Sequence, residues 1–247
     1  MARSIVLAAL LLSGCAALFP GKPRPPFAFG EKGELVDFHY GWPAEASAIP
    51  ALESRFRAAL DKSWKQELAA AVADRNAATA AGRKYEGHQF RFDWNTAGQT
   101  RRLLSLEGMA SSFPANRHDS HRSDGLIWDR GSRTAVAPGA LFANTSQFAA
   151  IVRPQFCAAL DRERAKRRAV AEPHPRGRVC PPFDEVTIVP SDYNRNGRFE
   201  SLRMTADPNV AGSYPEGFYQ VILPVSATFF AALKPAYRSS FEIAQPQ

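Results

Sequence analysis

Two histidines, an aspartate and a serine stand together at residues 118–121, which read His-Asp-Ser-His. Imidazoles three positions apart, with a carboxylate between them, are groups that bind a transition metal or act as general acid and base. The surrounding segment is polar and rich in serine and arginine, so nothing in the pattern fixes these groups or keeps water away. We therefore interpret His118 and His121 as solvated loop residues.

A second stretch, DYNRNG at residues 192–197, matches the first half of a calcium-binding loop and has Glu200 at its ninth position. Such a loop needs a bidentate carboxylate at position twelve. That position holds Arg203, which would repel a cation. The pair Asn196-Gly197 is also typical of a tight turn between two strands. The sequence therefore favours a hairpin here, and it predicts no metal site and no cofactor.

The first fifteen residues, MARSIVLAALLLSGC, combine one arginine, an apolar run and two small residues before a cysteine. This is the pattern of a secretory signal. The end of the segment, Leu12 to Cys15, resembles the lipobox of bacterial lipoproteins. The resemblance implies that residues 1–14 are a signal peptide, that Cys15 is lipidated and that the mature chain is anchored to a membrane. Ala16 in place of an aspartate favours the outer membrane, facing the periplasm.

Prolines are concentrated after this cysteine, and four of them lie between residues 20 and 26. Such a density favours an extended conformation and prevents a helix. We assign residues 15–33 to the lipidated cysteine and a proline-rich tether, and residues 34–247 to one domain. A chain of 247 residues, 45% of them hydrophobic, is long enough for one domain with a substantial core.

The other two cysteines, Cys157 and Cys180, are 23 positions apart. An even number of cysteines in an oxidising compartment favours a disulfide. A pair of free thiols, or a metal site with His174, is the alternative, although the sequence supplies no further ligands nearby.

The chain has 31 basic and 24 acidic residues, a formal net charge of +7. This charge attracts anionic material such as lipid headgroups, envelope phosphates and peptidoglycan carboxylates. Export would remove nucleic acid from reach, so we predict no nucleic-acid partner. Much of the excess lies near the end of a predicted helix, where a solvated helix face is the alternative to a surface for an anionic ligand. The members of this basic patch are Arg162, Arg164, Lys166, Arg167, Arg168, Arg176 and Arg178.

The spacing of apolar residues predicts the elements that position these groups. Alternation over Val36–Trp42 predicts a strand with one buried face. Apolar residues recur every three or four positions over 49–72 and again over 144–169, which predicts two main helices. Several short strands follow each helix. We therefore predict an α+β domain with one antiparallel or mixed sheet and both helices packed on one face.

Three segments of the domain resemble a known family. They are Tyr40-Gly41-Trp42-Pro43, DGLIWD at residues 124–129 with GALF at 139–142, and DPNVAGSYPEG at 207–217. They are similar to turns of the extracytoplasmic domain shared by the anti-sigma factor RsiV and the polysaccharide deacetylase PdaC. The resemblance covers roughly residues 34–243 and implies an extracytoplasmic binding role, with lysozyme as one candidate ligand and no catalytic residue to carry over. The Gly-Gly-Ala-His turn usual in that family is replaced by SSFPANRH at 111–118.

These observations predict a non-enzymatic envelope lipoprotein that binds a cell-wall component or a wall-active, lysozyme-like protein. Animal-type lysozymes are strongly basic, and the sequence shows no acidic cluster that would attract them, so an anionic glycan fits the charge better. One alternative is a peptidoglycan-acting enzyme that uses His118 or His121 with Asp119 or Asp124 as acid and base. Another is a structural lipoprotein of an envelope complex.

Overall fold

The computed structural model describes residues 24–114, 118–168 and 179–245, and these residues form the α+β fold that the sequence predicts. The predicted signal peptide, Cys15 and most of the predicted tether lie outside the described residues. Among the residues described, no helix is both long and apolar enough to cross a membrane.

The first sheet of the described residues has six strands, which lie side by side in the order in which they occur along the chain. Neighbouring strands are antiparallel except β2 (Val36–Trp42) and β3 (His88–Gln99), which are parallel. This parallel pair needs a crossover connection, which is supplied by the short helix α1 (Ala44–Ser47) and the long helix α2 (Pro50–Ala80). The strands are β1 (Phe27–Lys32), β2 (Val36–Trp42), β3 (His88–Gln99), β4 (Leu103–Phe113), β5 (Ser120–Asp129) and β6 (Thr134–Val136).

Strand β1 shortens the predicted tether. The prolines predict a tether that extends to residue 33, whereas the structure pairs residues 27–32 with β2. Phe27 stacks on Trp42, with ring centroids 4.0 Å apart. The prolines that prevent regular structure end at Pro26, and beyond it apolar side chains alternate with small or polar ones. The folded domain therefore begins earlier than residue 34.

The second sheet is formed by three antiparallel strands, which lie in the order β7 (Val186–Ser191), β8 (Ser201–Ala206) and β9 (Tyr219–Pro224). Helix α3 (Thr145–Arg168) packs on the edge strand β9, while α2 packs on the first sheet. The structure thus differs in detail from a single sheet with both helices on one face, because each main helix covers a different sheet. The elements of this half are α3 (Thr145–Arg168), β7 (Val186–Ser191), β8 (Ser201–Ala206), β9 (Tyr219–Pro224), α4 (Ala227–Ala232) and α5 (Pro235–Arg238).

The two sheets meet where β7 crosses the first sheet. A Cβ atom at Gly125 of β5 would lie only 3.0 Å from the Val189 side chain, so glycine at this position leaves room for β7. Glu107 of β4 is buried nearby, and its carboxylate accepts hydrogen bonds from Arg203 (2.7 Å) and Thr205 (3.0 Å) of β8. The close approach of β7 to Gly125 and the buried contacts of Glu107 fix the position of one sheet relative to the other. They therefore also fix the positions of the turns at the ends of the strands.

Candidate functional site

Four arginines line one cleft of about 750 Å³. Four segments of the chain meet at this cleft. They are the turn between β3 and β4 with Arg101 and Arg102, the turn between β5 and β6 with Arg130, the loop between β7 and β8 with Arg198, and the C-terminal segment around Ser240. We call this the arginine cleft. Its residues are distant in sequence, so the arrangement of the two sheets creates it.

Arg102 is held rigidly in the cleft. Its guanidinium donates to both carboxylate oxygens of Asp129, at 3.1 and 2.9 Å, and lies 4.6 Å from the ring centroid of Tyr237. Asp129 is fully buried and also accepts hydrogen bonds from the Gly131 N–H (2.8 Å) and the Tyr237 hydroxyl (3.0 Å). Burial opposes ionisation of Asp129, but these hydrogen bonds outweigh it, so its pKa is lowered. The charge of Asp129 is therefore neutralised by Arg102 beneath the cleft.

Of the other three arginines, Arg130 is held by hydrogen bonds, whereas the guanidinium groups of Arg101 and Arg198 make none in the part of the chain that the structure describes. Arg130 donates to the Thr100 carbonyl (2.9 Å) and to the Gln99 side chain (3.2 Å), and burial lowers its pKa. Arg101 and Arg198 are exposed, and within the described residues neither guanidinium makes a hydrogen bond or an ion pair, while the charge of Arg198 acts at longer range on the Glu242 carboxylate. Guanidinium groups bind carboxylates and phosphates through paired, charge-assisted hydrogen bonds. The cleft therefore presents groups whose chemistry suits an anion.

The basic patch predicted near the end of the second helix contains residues with structural roles. Arg164 of α3 is buried and donates to two backbone carbonyl groups, and Arg167 donates to two others just before β9. Arg164 is thus removed from the predicted ligand surface, because its charge is needed inside the fold. Arg162 and Lys166 are exposed. Outside the described residues lie the Arg168 side chain, Arg176 and Arg178.

Replacing Arg164 with alanine is expected to destabilise the domain by about 2 kcal/mol, because it removes buried hydrogen bonds made by a charged donor. Arg162→Ala, on the exposed side of the same helix, is the matched control and is expected to change stability by less than about 0.5 kcal/mol. Urea denaturation measures both values. Equal stabilities of the two variants would show that Arg164 is a surface charge after all.

The histidine stretch lies at one end of the first sheet. His118 is exposed, whereas His121 of β5 sits among three aromatic rings with its Nε2 3.1 Å from a carboxylate oxygen of Asp119. Asp124 pairs instead with Arg122, at 3.4 Å. Within the described ranges, no group of three or more His, Cys, Asp or Glu side chains is placed to hold a metal. The structure brings only His121 and Asp119 together, and this pair alone defines no reaction.

A second cleft, of about 710 Å³, is lined by four carboxylates. One of them, Asp207, accepts hydrogen bonds from the backbone N–H and the hydroxyl of Ser123, and burial raises its pKa. The sequence shows no acidic cluster because these residues come from three separate segments, so the structure corrects that expectation. We call this the acidic cleft. Its carboxylates are Asp124, Asp184, Glu185 and Asp207.

The two remaining cysteines are bonded to each other. Cys157 of α3 and Cys180 form a disulfide with their Cα atoms 5.4 Å apart. Arg153 of the same helix donates to the carbonyl groups of Cys180 (3.0 Å) and Pro181 (3.1 Å). Together these contacts tie the chain that enters β7 to the middle of α3.

The chain is similar to known proteins in its three-dimensional structure, but not in its sequence. No family model and no curated protein matches the chain. A crystal structure of a DUF3298 family protein from Pseudomonas aeruginosa PAO1 is similar, with a TM-score of 0.54 and 13% identity over 90% of this chain and 98% of that one. A DUF3298 family member from Bacteroides fragilis matches with a TM-score of 0.50 and 10% identity, over 81% and 89% of the two chains. The chain therefore has the fold seen in proteins of the DUF3298 family.

Proposed function

We propose that this protein is a non-enzymatic, lipid-anchored envelope protein whose domain binds an anionic cell-wall polymer in the arginine cleft. The observation that carries the proposal is the pair of unpaired guanidinium groups, Arg101 and Arg198, beside the two held arginines in one cleft. The lipid anchor and the outer-membrane location rest on the resemblance of Leu12 to Cys15 to a lipobox. The polymers that fit are those with repeated carboxylates or phosphates, such as peptidoglycan.

The shape of the cleft supports a polymer segment as the ligand. A volume of about 750 Å³ is in the usual range of ligand pockets, and the arginines come from three different turns and loops of the chain. Asp129 is already paired with Arg102, so the cleft keeps a net positive charge. Repulsion among the remaining guanidinium groups is relieved when an anion enters.

Co-sedimentation of the full-length protein with purified sacculi tests the proposal. We expect binding at about 0.1 M salt that is lost toward about 1 M, because the Debye length falls from about 10 Å to about 3 Å over this range. Absence of binding at low salt, or binding that ignores salt, would contradict the proposal.

A second candidate ligand is favoured by the acidic cleft, whose four carboxylates suit a strongly basic, lysozyme-like protein. The same experiment separates the two ligands when a basic muramidase replaces the sacculi. A muramidase bound through this cleft would be released by Asp184→Asn with Glu185→Gln, whereas these changes leave binding to sacculi intact. Binding to the muramidase alone would replace the polymer as the ligand.

A further inference from the structure

The loop that joins β7 to β8 gathers oxygen atoms around its own backbone. Asp192, Asn194 and Asn196 occupy its first, third and fifth positions. The Asp192 carboxylate accepts hydrogen bonds from the N–H groups of Asn196 (3.1 Å) and Gly197 (2.9 Å), and the Asn194 side-chain oxygen accepts from Asn196 N–H (3.1 Å). Gly197 has a φ of 82°, a conformation that favours glycine. The loop is therefore curled so that these three side chains lie on its inner side.

One carboxylate oxygen in this loop has no partner. Oε1 of Glu200, at the ninth position, accepts a hydrogen bond from the Tyr193 N–H at 2.9 Å, which places the carboxylate against the loop. Its Oε2 is shielded from solvent and has no hydrogen-bond partner among the described residues. Removing a carboxylate oxygen from water without a partner is costly. An oxygen of this kind takes an ordered water or an ion as its partner, and a carboxylate oxygen in a loop with several other oxygen ligands suits a cation.

A third carboxylate orients the two asparagines. Glu242 reaches the loop because its backbone N–H donates to the Phe199 carbonyl (3.0 Å). Its Oε1 accepts hydrogen bonds from the side-chain NH₂ groups of Asn194 and Asn196, each at 2.7 Å. With their nitrogens turned toward Glu242, both amides keep their oxygens on the opposite side, toward the loop backbone.

Arg203, whose charge would repel a cation, is directed toward other side chains of the fold. Arg203, at position twelve, lies in β8, and its guanidinium donates to Glu107 (2.7 Å) and to the Tyr193 hydroxyl (2.8 Å). The position-twelve carboxylate belongs to a loop that is followed by a helix. Here the chain enters a strand directly after Glu200, so the ninth position is the last one that can close the loop.

We propose that residues 192–200 bind a calcium ion through the oxygens of Asp192, Asn194, Asn196 and Glu200, with the backbone carbonyl of Arg198 at position seven. All donors are hard oxygens, and two are neutral amides, which suits the flexible coordination of calcium better than the strict octahedron of magnesium. Only two of the four side chains carry charge, so the expected Kd is about 10⁻⁴ to 10⁻³ M, as in extracellular calcium modules. The same loop forms one wall of the arginine cleft, but calcium binding does not depend on the polymer.

Calorimetric titration of the chelator-treated full-length protein with calcium chloride tests the proposal without any polymer present. One site is expected, with the affinity given above. About 10 mM calcium would then lower the unfolding equilibrium constant by about 10- to 100-fold, and the same concentration of magnesium would do so much less. Absence of heat and of stabilisation at this concentration would overturn the proposal.

Two isosteric variants locate the site. Glu200→Gln and Asp192→Asn are each expected to weaken calcium binding at least about tenfold, since each removes half of the ligand charge. Glu200→Gln keeps an oxygen that can accept the hydrogen bond from the Tyr193 N–H, so the variant is expected to fold, and its stability without calcium is the baseline for its calcium response. Glu31→Gln, which changes an exposed carboxylate of β1 far along the chain from the loop, is the matched control and keeps the wild-type response. A calcium response that persists unchanged in Glu200→Gln would contradict the assignment.

Discussion

Replacing Arg102 with alanine is expected to destabilise the domain by about 2–3 kcal/mol, because it leaves the buried Asp129 carboxylate without its counter-charge. The 35% exposure of the Arg102 side chain keeps the loss below that of a fully buried pair. The side chain of Asp129 is 1% exposed, and two of its hydrogen bonds come from Arg102. The Gly131 N–H and the Tyr237 hydroxyl remain, but both are neutral donors. Chemical denaturation at neutral pH measures the loss.

The loss is expected to depend on pH in a definite direction. The pKa of Asp129 is lowered in the folded protein, so its ionised form contributes stability above the unfolded pKa of about 3.9, and this contribution is lost as pH falls through the folded value. Arg102→Ala removes the hydrogen bonds and the charge of Arg102, which lower the pKa of Asp129, so this pKa is expected to rise in the variant. The stability difference between wild type and variant should therefore be largest near pH 7 and shrink toward pH 3.

A second substitution distinguishes the effect of the unpaired Asp129 charge from a simple loss of packing around Arg102. Asp129→Asn in the Arg102→Ala background removes the unpaired charge, so it should recover part of the lost stability. If the double variant were instead less stable than Arg102→Ala alone, the buried charge would not be the cause of the loss.

Removal of the disulfide is the second large effect. Cys157 and Cys180 are separated by 23 residues, and opening a loop of this length costs about 3 kcal/mol in the chain-entropy model. Reduction of the wild type, or the double substitution Cys157→Ser with Cys180→Ser, should therefore lower the free energy of unfolding by this amount. Denaturation with and without a reducing agent measures it.

The serine double variant is its own control, because it should not respond to the reducing agent. Contacts of Arg153 with the Cys180 and Pro181 carbonyl groups remain in that variant, so the fold is expected to persist. Equal stability of oxidised and reduced wild type would contradict a role of the disulfide in holding the chain that enters β7.

The local elements are predictable from the sequence because their signals are local. Alternation over Val36–Trp42 predicts β2, and apolar spacing predicts α2 and α3, although Pro154 lies within α3. The division into two sheets has no such signal. It follows from the close approach of β7 to Gly125 and from the pairing of Glu107 with Arg203, which join residues far apart in the chain.

The candidate sites, like the two sheets, depend on contacts between distant residues that sequence patterns do not reveal. A run of charges indicates where arginines are concentrated, but it does not distinguish the buried Arg164 from the exposed Arg162. Arg101 lies in a short turn and Arg198 in the loop between β7 and β8, both outside any basic run, and the two line the same cleft only after folding. The sequence signal for these two arginines is their place in connections between strands. Such connections can come together where the ends of the strands meet.

Charge reversal tests the proposed binding site most directly. Arg101→Glu with Arg198→Glu changes the arginine cleft, and Arg162→Glu with Lys166→Glu changes the net charge equally on α3. In co-sedimentation with sacculi at about 0.1 M salt, we expect the cleft variant to bind at least about tenfold more weakly, a loss of about 1.4 kcal/mol, and the helix variant to stay within a few fold of the wild type. Wild-type binding by the cleft variant, or a larger loss in the helix variant, would contradict the arginine cleft as the binding site.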